Sequence, residues 1–342
     1  MKPKIRVLIA DDSSTLRAAL VVLLEQDEHL EVVGQARDGM EAVHMAHDLK
    51  PDVIAMDVNM PRLDGLRATE AIMADAPSRV LVISAVGEDS EIDLSLRAIA
   101  AGALELIAKP RGGPGELRAW GKHVAASVRL MAEVPVVRRY RRPSSRHAAL
   151  GHPGGIQMVG LVASTGGPPA LASVLKELPA ELEAPILIAQ HIAEGFTKGL
   201  VRWFANVSKL KVEIARRGIS AQPGFVYLPP DGCDLLLDKQ GLLQTPRSSG
   251  LHSPSGDLLL TSLAQAGKAR AAGFVLTGMG DDGAQGLSAL SDAGGATFAQ
   301  DELTSVVFGM PQAAYACGAT RALLPLESIA PAIVELCRKA WR

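Results

Sequence analysis

Apolar runs of strand length recur through the first 110 residues, spaced by segments long enough for helices: Ile5-Arg-Val-Leu-Ile-Ala10, Val53-Ile-Ala-Met56, Val80-Leu-Val-Ile83 and Leu104-Glu-Leu-Ile-Ala108. They are nearly continuous rather than alternating, the pattern of strands buried on both faces and hence of a parallel sheet. The rhythm predicts five strand–helix units closing with a helix from about Gly115 to Met131. It resumes beyond Gly155. Strands are predicted at Met158–Ala163, Ala184–Ala189, Phe225–Leu228 and Gly273–Thr277, helices from near Gly167, Gly195, Ser255 and Gly283, and a hairpin around Asp238-Lys-Gln-Gly241. Both halves therefore read as α/β.

The polar residues that end these runs change the picture. Asp11 and Asp12 follow the first run and Asp57 the second; Ser84 closes the third, and Lys109 closes the last, just before Pro110. Open α/β sheets bind ligands outside the carboxyl ends of their strands, where strand order reverses, so these five side chains are predicted to meet in one crevice. Three carboxylates placed together repel one another unless a hard cation with oxygen ligands neutralises them. Mg²⁺ suits such a set, because it keeps several waters and completes its shell with phosphoryl oxygens. A lysine and a hydroxyl at the same place add a point charge and a hydrogen bond. The competing assignment makes the aspartates helix N-caps and Lys109 a solvated loop cation. Each fits singly, but all five at strand ends favour a site for a phosphoryl group on a carboxylate.

In the second half Ser164 leaves a buried strand directly into Thr165-Gly166-Gly167-Pro168-Pro169, so the chain turns sharply and a helix begins at once. That is the geometry of a nucleophile elbow, although neither GxSxG nor a GxGxxG or GK[ST] phosphate loop is present. A serine hydroxyl needs a base within hydrogen-bond reach and a group that orients the base. His191 ends the next strand and Asp282 lies in the loop after a later one, so all three stand at carboxyl ends. Gly278 and Gly280, flanking Met279, are expected to leave backbone amides free for a developing oxyanion. Of the eight histidines, only His191 and His252 belong to the second half's site region.

Length and composition set bounds. The 342 residues, 48% of them apolar, are enough for two cores. The expected division is residues 1–125, a linker over 126–155, and residues 156–342. The linker carries Arg138, Arg139, Arg141, Arg142 and Arg146 among prolines and serines and reads as a solvated tether. A net charge of −2 recruits neither nucleic acid nor an anionic membrane. Cys233, Cys317 and Cys337 lack CxxC spacing, which argues against a disulfide framework or zinc site. With no signal segment and no apolar run of about 18 residues, a cytoplasmic location without membrane insertion is expected.

The stretches Ala10-Asp-Asp-Ser13, Met56-Asp-Val-Asn-Met-Pro-Arg-Leu-Asp-Gly65 and Ala108-Lys-Pro110 resemble the receiver domain of bacterial response regulators. The resemblance implies a flavodoxin-like, five-stranded parallel sheet, with Asp57 accepting a phosphoryl group from a histidine kinase. It implies Asp11, Asp12, Asp57 and the Asn59 carbonyl as Mg²⁺ ligands, and Ser84 and Lys109 as sensors of the phosphoryl group. Leu106 stands where many receivers carry an aromatic switch residue.

Ala163-Ser-Thr-Gly-Gly167, Gln190-His191, Leu276-Thr-Gly-Met-Gly280, Asp282-Gly-Ala284 and Gln300-Asp-Glu-Leu-Thr-Ser-Val-Val-Phe-Gly-Met-Pro311 resemble the chemotaxis protein-glutamate methylesterases, the CheB family. The resemblance implies a doubly wound α/β catalytic domain that hydrolyses glutamyl methyl esters on chemoreceptors and deamidates receptor glutamines without a cofactor. Ser164 would be the nucleophile, His191 the base, Asp282 its orienter, Thr165 a support for the serine, and the Met279 amide the oxyanion donor. It also implies that the unphosphorylated receiver covers the cleft. Against the family's usual pattern, Ser253, Gly256, Cys233 and Ile192-Ala-Glu194 are departures, and Asp281 is expected to raise a pKa beside Asp282. These departures motivate an alternative, a phosphorylation-controlled receptor- or kinase-binding module with an inactive esterase-like half.

Overall fold

The computed structural model describes residues 3–85, 87, 89–110, 112–134, 155–250 and 253–338. The linker arginines and His252 lie outside the described residues. The chain forms two compact units, Met1–Arg139 and Tyr140–Arg342.

In the first unit the elements alternate strictly: β1 (Ile5–Ala10), α1 (Ser14–Leu24), β2 (Leu30–Ala36), α2 (Gly39–Leu49), β3 (Val53–Asp57), α3 (Gly65–Asp75), β4 (Arg79–Ser84), α4 (Asp89–Ala101), β5 (Glu105–Ala108) and α5 (Pro114–Glu133). The five strands run parallel in the order β2-β1-β3-β4-β5, so the order reverses between β1 and β3. The doubly wound reading is therefore met in its flavodoxin-like form. Register brings Ala10 beside Met56, Asp57 beside Ile83 and Ser84 beside Ala108. The strand ends are thus level.

The helix predicted to end near Met131 runs to Glu133, so residues 126–133, counted with the expected linker, complete α5. The reason is an apolar stripe at helical spacing: Val124, Val128 and Met131 are fully buried in the core that Ile9, Leu20, Val53 and Leu81 also build. Burying such side chains stabilises by about 1.5–3 kcal/mol each, enough to hold the last turns of α5 against the sheet.

The second unit comprises β6 (Met158–Ala163), α6 (Gly167–Glu177), β7 (Ile186–Gln190), α7 (Thr197–Val207), β8 (Lys211–Ile214), β9 (Phe225–Leu228), β10 (Leu236–Leu237), β11 (Leu243–Gln244), α8 (Gly256–Gly267), β12 (Ala271–Val275), α9 (Ala284–Asp292), β13 (Ala296–Gln300), α10 (Met310–Ala316), β14 (Ala322–Leu324) and α11 (Leu326–Cys337). Seven parallel strands run β14-β13-β12-β6-β7-β9-β8. The predicted hairpin is the β10–β11 pair, whose turn Asp238 closes by accepting the Gln240 and Leu242 amides. Order reverses at β6, which lies between β7 and β12. The carboxyl ends of those three strands are where the second site forms.

Candidate functional sites

In the first unit the carboxylates are not the helix caps. The side chain of Ser13 caps α1, and that of Asp64 caps α3. Asp57 stays at the end of β3 because Gly65 lets the start of α3 approach its carbonyl; a Cβ at residue 65 would lie 2.0 Å from that oxygen. Asp11 and Asp57 are each 2% exposed, and the Lys109 ammonium bridges them at 2.8 and 2.9 Å. Burial, with the charge of Asp11 adding, pushes the Asp57 carboxyl up to about 6 despite Lys109. Lys109 is itself raised: burial opposes its charge, but the two carboxylates outweigh it.

Asp12 completes a set whose carboxylate oxygens, one from each of Asp11, Asp12 and Asp57, lie within 4.8 Å of one another. Oxygens on opposite sides of Mg²⁺ stand roughly 4.2 Å apart, so this donor set fits the ion with a small inward shift. Asp12, Asp57, Asn59, Ser84, Glu91 and Lys109 line an open pocket of about 480 Å³. The structure thus brings together all six residues predicted for this site. Ser95 of α4 donates to the Ser84 hydroxyl at 2.9 Å, and the Asn59 side-chain amide donates to Glu91. Ser95 and Glu91 were not anticipated, since both sit inside a helix pattern that reads as ordinary surface and core.

In the second unit Ser164 and His191 follow the paired residues Ala163 and Gln190 on neighbouring strands. The His191 amide donates to the Ala163 carbonyl at 3.0 Å, and the Ser164 amide to the Thr277 carbonyl at 3.0 Å. The Gln190 side chain ties the two loops, donating to the carbonyls of Ser164 (3.0 Å) and His191 (2.8 Å). On the other side Gly278 packs so closely that a Cβ there would lie 2.7 Å from Ser164 Cβ. Ser164 is partly exposed, Thr165 is buried, and the carbonyl of Thr165 accepts from the Thr277 hydroxyl at 2.9 Å.

His191 Nε2 pairs with Asp282 Oδ2 at 2.7 Å. Rotating the ring by half a turn would put carbon against that oxygen, so the assignment is chemically fixed. Nδ1 is the ring nitrogen that Asp282 does not engage. Asp282 is 4% exposed and lies at the start of α8, where the amides of Gly256 (2.6 Å) and Asp257 (2.9 Å) donate to it. Burial alone would raise its pKa, but His191 and these amides outweigh that and bring it from the ordinary 3.8 to about 2. The expected rise from Asp281 is not found: Asp281 is exposed, and the carboxylate that neighbours Asp282 is Asp257.

The oxyanion expectation divides. The Gly278 amide is used by the Val307 carbonyl at 3.0 Å, so it is not free. Among the described residues the Met279 and Gly280 amides donate to no protein acceptor, and Met279 is 46% exposed. Gln190, Thr277 and Asp257 were given no role from sequence. The first two carry the strand-end polar signal that marked Ser164 and His191, whereas Asp257 looks like any acid in a first helical turn.

A depressed pKa has a signed consequence. Because the folded value of Asp282 lies below the unfolded one, its stabilisation is present above about pH 4 and is lost as pH falls through about 2. Chemical denaturation should therefore show wild type more stable than Asp282→Asn at neutral pH, with the gap closing between pH 4 and 2. A gap that stays constant to pH 2 would count against the depressed carboxyl.

An acidic pocket at the switch point of a five-stranded parallel sheet, followed in the chain by an α/β unit with Ser, His and Asp at one sheet edge, defines a class: a response regulator with an enzymatic output. The family model for CheB methylesterase matches residues 159–333, and that for the response regulator receiver domain matches residues 7–119. Protein-glutamate methylesterase/protein-glutamine glutaminase 3 of Myxococcus xanthus (strain DK1622) is 53% identical over 97% of this chain and 94% of its own length. A protein of the same name from Anaeromyxobacter dehalogenans (strain 2CP-C) is 40% identical over 98% of this chain and 100% of its own. The crystal structure of the Thermotoga maritima CheB methylesterase catalytic domain matches with a TM-score of 0.51 and 34% identity, covering 53% of this chain and 98% of that one. The chain belongs to the CheB methylesterase family.

Proposed function

We propose that this chain is a phosphorylation-activated protein-glutamate methylesterase that acts on chemoreceptors in the cytoplasm and also deamidates receptor glutamines. The observation that carries the reading is the His191–Asp282 pair at 2.7 Å beside the strand end that bears Ser164. Ser164 attacks the γ-ester carbonyl while His191 Nδ1 takes its proton; Asp282 holds Nε2–H and stabilises the imidazolium. The Met279 amide donates to the oxyanion, and Thr165 supports the serine loop. Methanol leaves with the proton held by His191. Water, activated by the same ring, then releases the glutamate carboxylate, and a glutamine substrate releases ammonia by the same route. None of these steps calls for a cofactor.

Control resides at Asp57, which attacks the phosphoryl group of a chemotaxis-type histidine kinase. Asp11, Asp12, Asp57 and the Asn59 carbonyl would hold Mg²⁺, which supplies neutralising charge to the phosphoryl oxygens when bound. Phosphorylation replaces the single charge of the Asp57 carboxylate with a phosphoryl group carrying about −1.5 to −2. Lys109 then turns to the phosphoryl group, and the Ser84 hydroxyl, which donates to the Ala85 carbonyl at 3.2 Å, redirects its proton to a phosphoryl oxygen. The loop after β4 and, through the Ser95 bond to Ser84, α4 move with that hydroxyl, a route of readout that needs no aromatic at position 106.

The alternative of a binding module with an inactive esterase-like half finds no support, since full-length relatives bear the esterase and glutaminase names. No described helix is long and apolar enough to cross a membrane, and the reading assigns neither nucleic acid nor membrane insertion. Methanol release from methylated receptor fragments, with and without a small phosphodonor and Mg²⁺, is the test. Release that rises with the donor is expected. No methanol from any fragment would remove the esterase, and a rate indifferent to the donor would remove the control.

A further inference from the structure

Asp282 is held by more than its histidine. The chain segments around it and around Asp257, 25 residues apart, exchange helix caps. The first amides of α8, those of Gly256 and Asp257, donate to the Asp282 carboxylate at 2.6 and 2.9 Å. In return, Asp257 Oδ1 accepts the amides of Gly283 (2.9 Å) and Gly286 (2.7 Å), at the start of α9. Each aspartate therefore satisfies orphan donors of the other's helix, where a carboxylate is favoured by both hydrogen bonding and the helix dipole.

The two sets of contacts hold Asp282 at both its side chain and its backbone. Its carboxylate is fixed by α8, and its backbone is fixed through the next residue, Gly283, whose φ of +92° forms the turn into α9. Gly256 is what permits the approach: a Cβ there would lie 2.2 Å from Val162 Cγ1 and 3.2 Å from Asp282 Oδ2. The glycine at this departure from the family pattern thus has a steric reason. Ser255 adds a second tie, its hydroxyl lying 3.3 Å from Asp282 Oδ1, and Asp234 anchors the Ser255 amide at 2.8 Å. Asp257 is half-buried and carries a cost for the grip: burial, and the negative charge of Asp282, raise its pKa despite the amide donors. A surface cap would not need to accept that.

We infer that Asp257 is a positioning residue for the esterase, setting the place of the Asp282 carboxylate and through it the tautomer and orientation of His191. This rests on the proposed roles of Ser164, His191 and Asp282. What matters is an acceptor at the Oδ1 position, not the charge. Asparagine retains that acceptor, alanine removes it, and glutamate keeps the charge but carries the oxygen one methylene further out.

The full-length protein would be assayed for methanol release from a methylated receptor fragment, with kcat and KM resolved. Asp257→Asn is expected to keep kcat within a few-fold, and Asp257→Ala and Asp257→Glu to lower kcat by about 10²-fold at unchanged KM, the typical effect of misplacing a catalytic group by about 1 Å. The downfield proton NMR signal of the His191 Nε2–H bond to Asp282 should persist in Asp257→Asn and vanish in Asp257→Ala or Asp257→Glu. Should Asp257→Ala fail to fold, the Asn and Glu variants decide alone. Wild-type kcat in Asp257→Glu, equal losses in Asn and Glu, or a loss confined to KM would each overturn the inference. Ser164→Ala run alongside separates the two levels: if it stays active, the underlying reading fails, and if it is dead while all Asp257 variants are normal, only the positioning role fails.

Discussion

Ser164→Ala should lower kcat for methanol release by about 10⁴–10⁶-fold, with KM nearly unchanged. A hydroxyl that forms the acyl-enzyme cannot be replaced by a methyl group, and what survives is the contribution of binding and of the oxyanion donor, typically about 10³–10⁴ over water. His191→Ala should cost a similar factor, and the double variant scarcely more, because the two groups act in one step. The first unit has its own core of Ile9, Leu20, Val53, Val128 and Met131, so phosphate incorporation at Asp57 should be untouched in all three. Methanol measured by gas chromatography, beside phosphate incorporation, reads both effects. More than a tenth of the wild-type rate in Ser164→Ala would end the case for a serine acyl-enzyme.

The second large effect lies at Asp57. Asp57→Asn should incorporate no phosphate from acetyl phosphate and Mg²⁺, and the ratio of esterase rates with and without the donor should fall to about 1. An amide cannot form the acyl phosphate, so the phosphoryl group with its charge of roughly −1.5 to −2 never arrives. The unstimulated rate should be close to that of the unphosphorylated wild type, since Asp57 belongs to the other unit. Asparagine also removes one of the two carboxylates that hold Lys109, which lies 2.9 Å from Asp57. Stimulation by the donor that survives in Asp57→Asn would place the phosphoacceptor elsewhere.

Much of this was legible in the chain. Val53–Met56 and Val80–Ile83 are apolar without alternation because both faces of a parallel strand are buried, and that shows in any short window. The polar residue that ends each run marks the carboxyl edge, which is why Asp57, Ser84, Ser164 and His191 were found. Other strands gave weak signals for physical reasons. In β8, Lys211-Val-Glu-Ile214 is a half-exposed edge strand with charged residues, β13 is Ala296-Thr-Phe-Ala-Gln300, a mix of small and polar residues around one Phe after Gly294-Gly295, and β14 has only three residues. Short edge strands with charges are how sheets avoid further pairing, and the same features hide them from pattern.

The sequence by itself determined two α/β halves, the level at which their chemistry lies, and the residue types that gather there, because strand burial and strand-end polarity are local properties of a parallel sheet. The tertiary structure decided the rest: that Gly278 gives its amide to Val307 while Met279 does not, and that Asp282 is lowered rather than raised. It also decided the exchange of caps between Asp257 and Asp282. Each of these depends on which backbone amide or buried wall a side chain meets from a distant part of the chain. That is set by packing in three dimensions, and no local pattern encodes it.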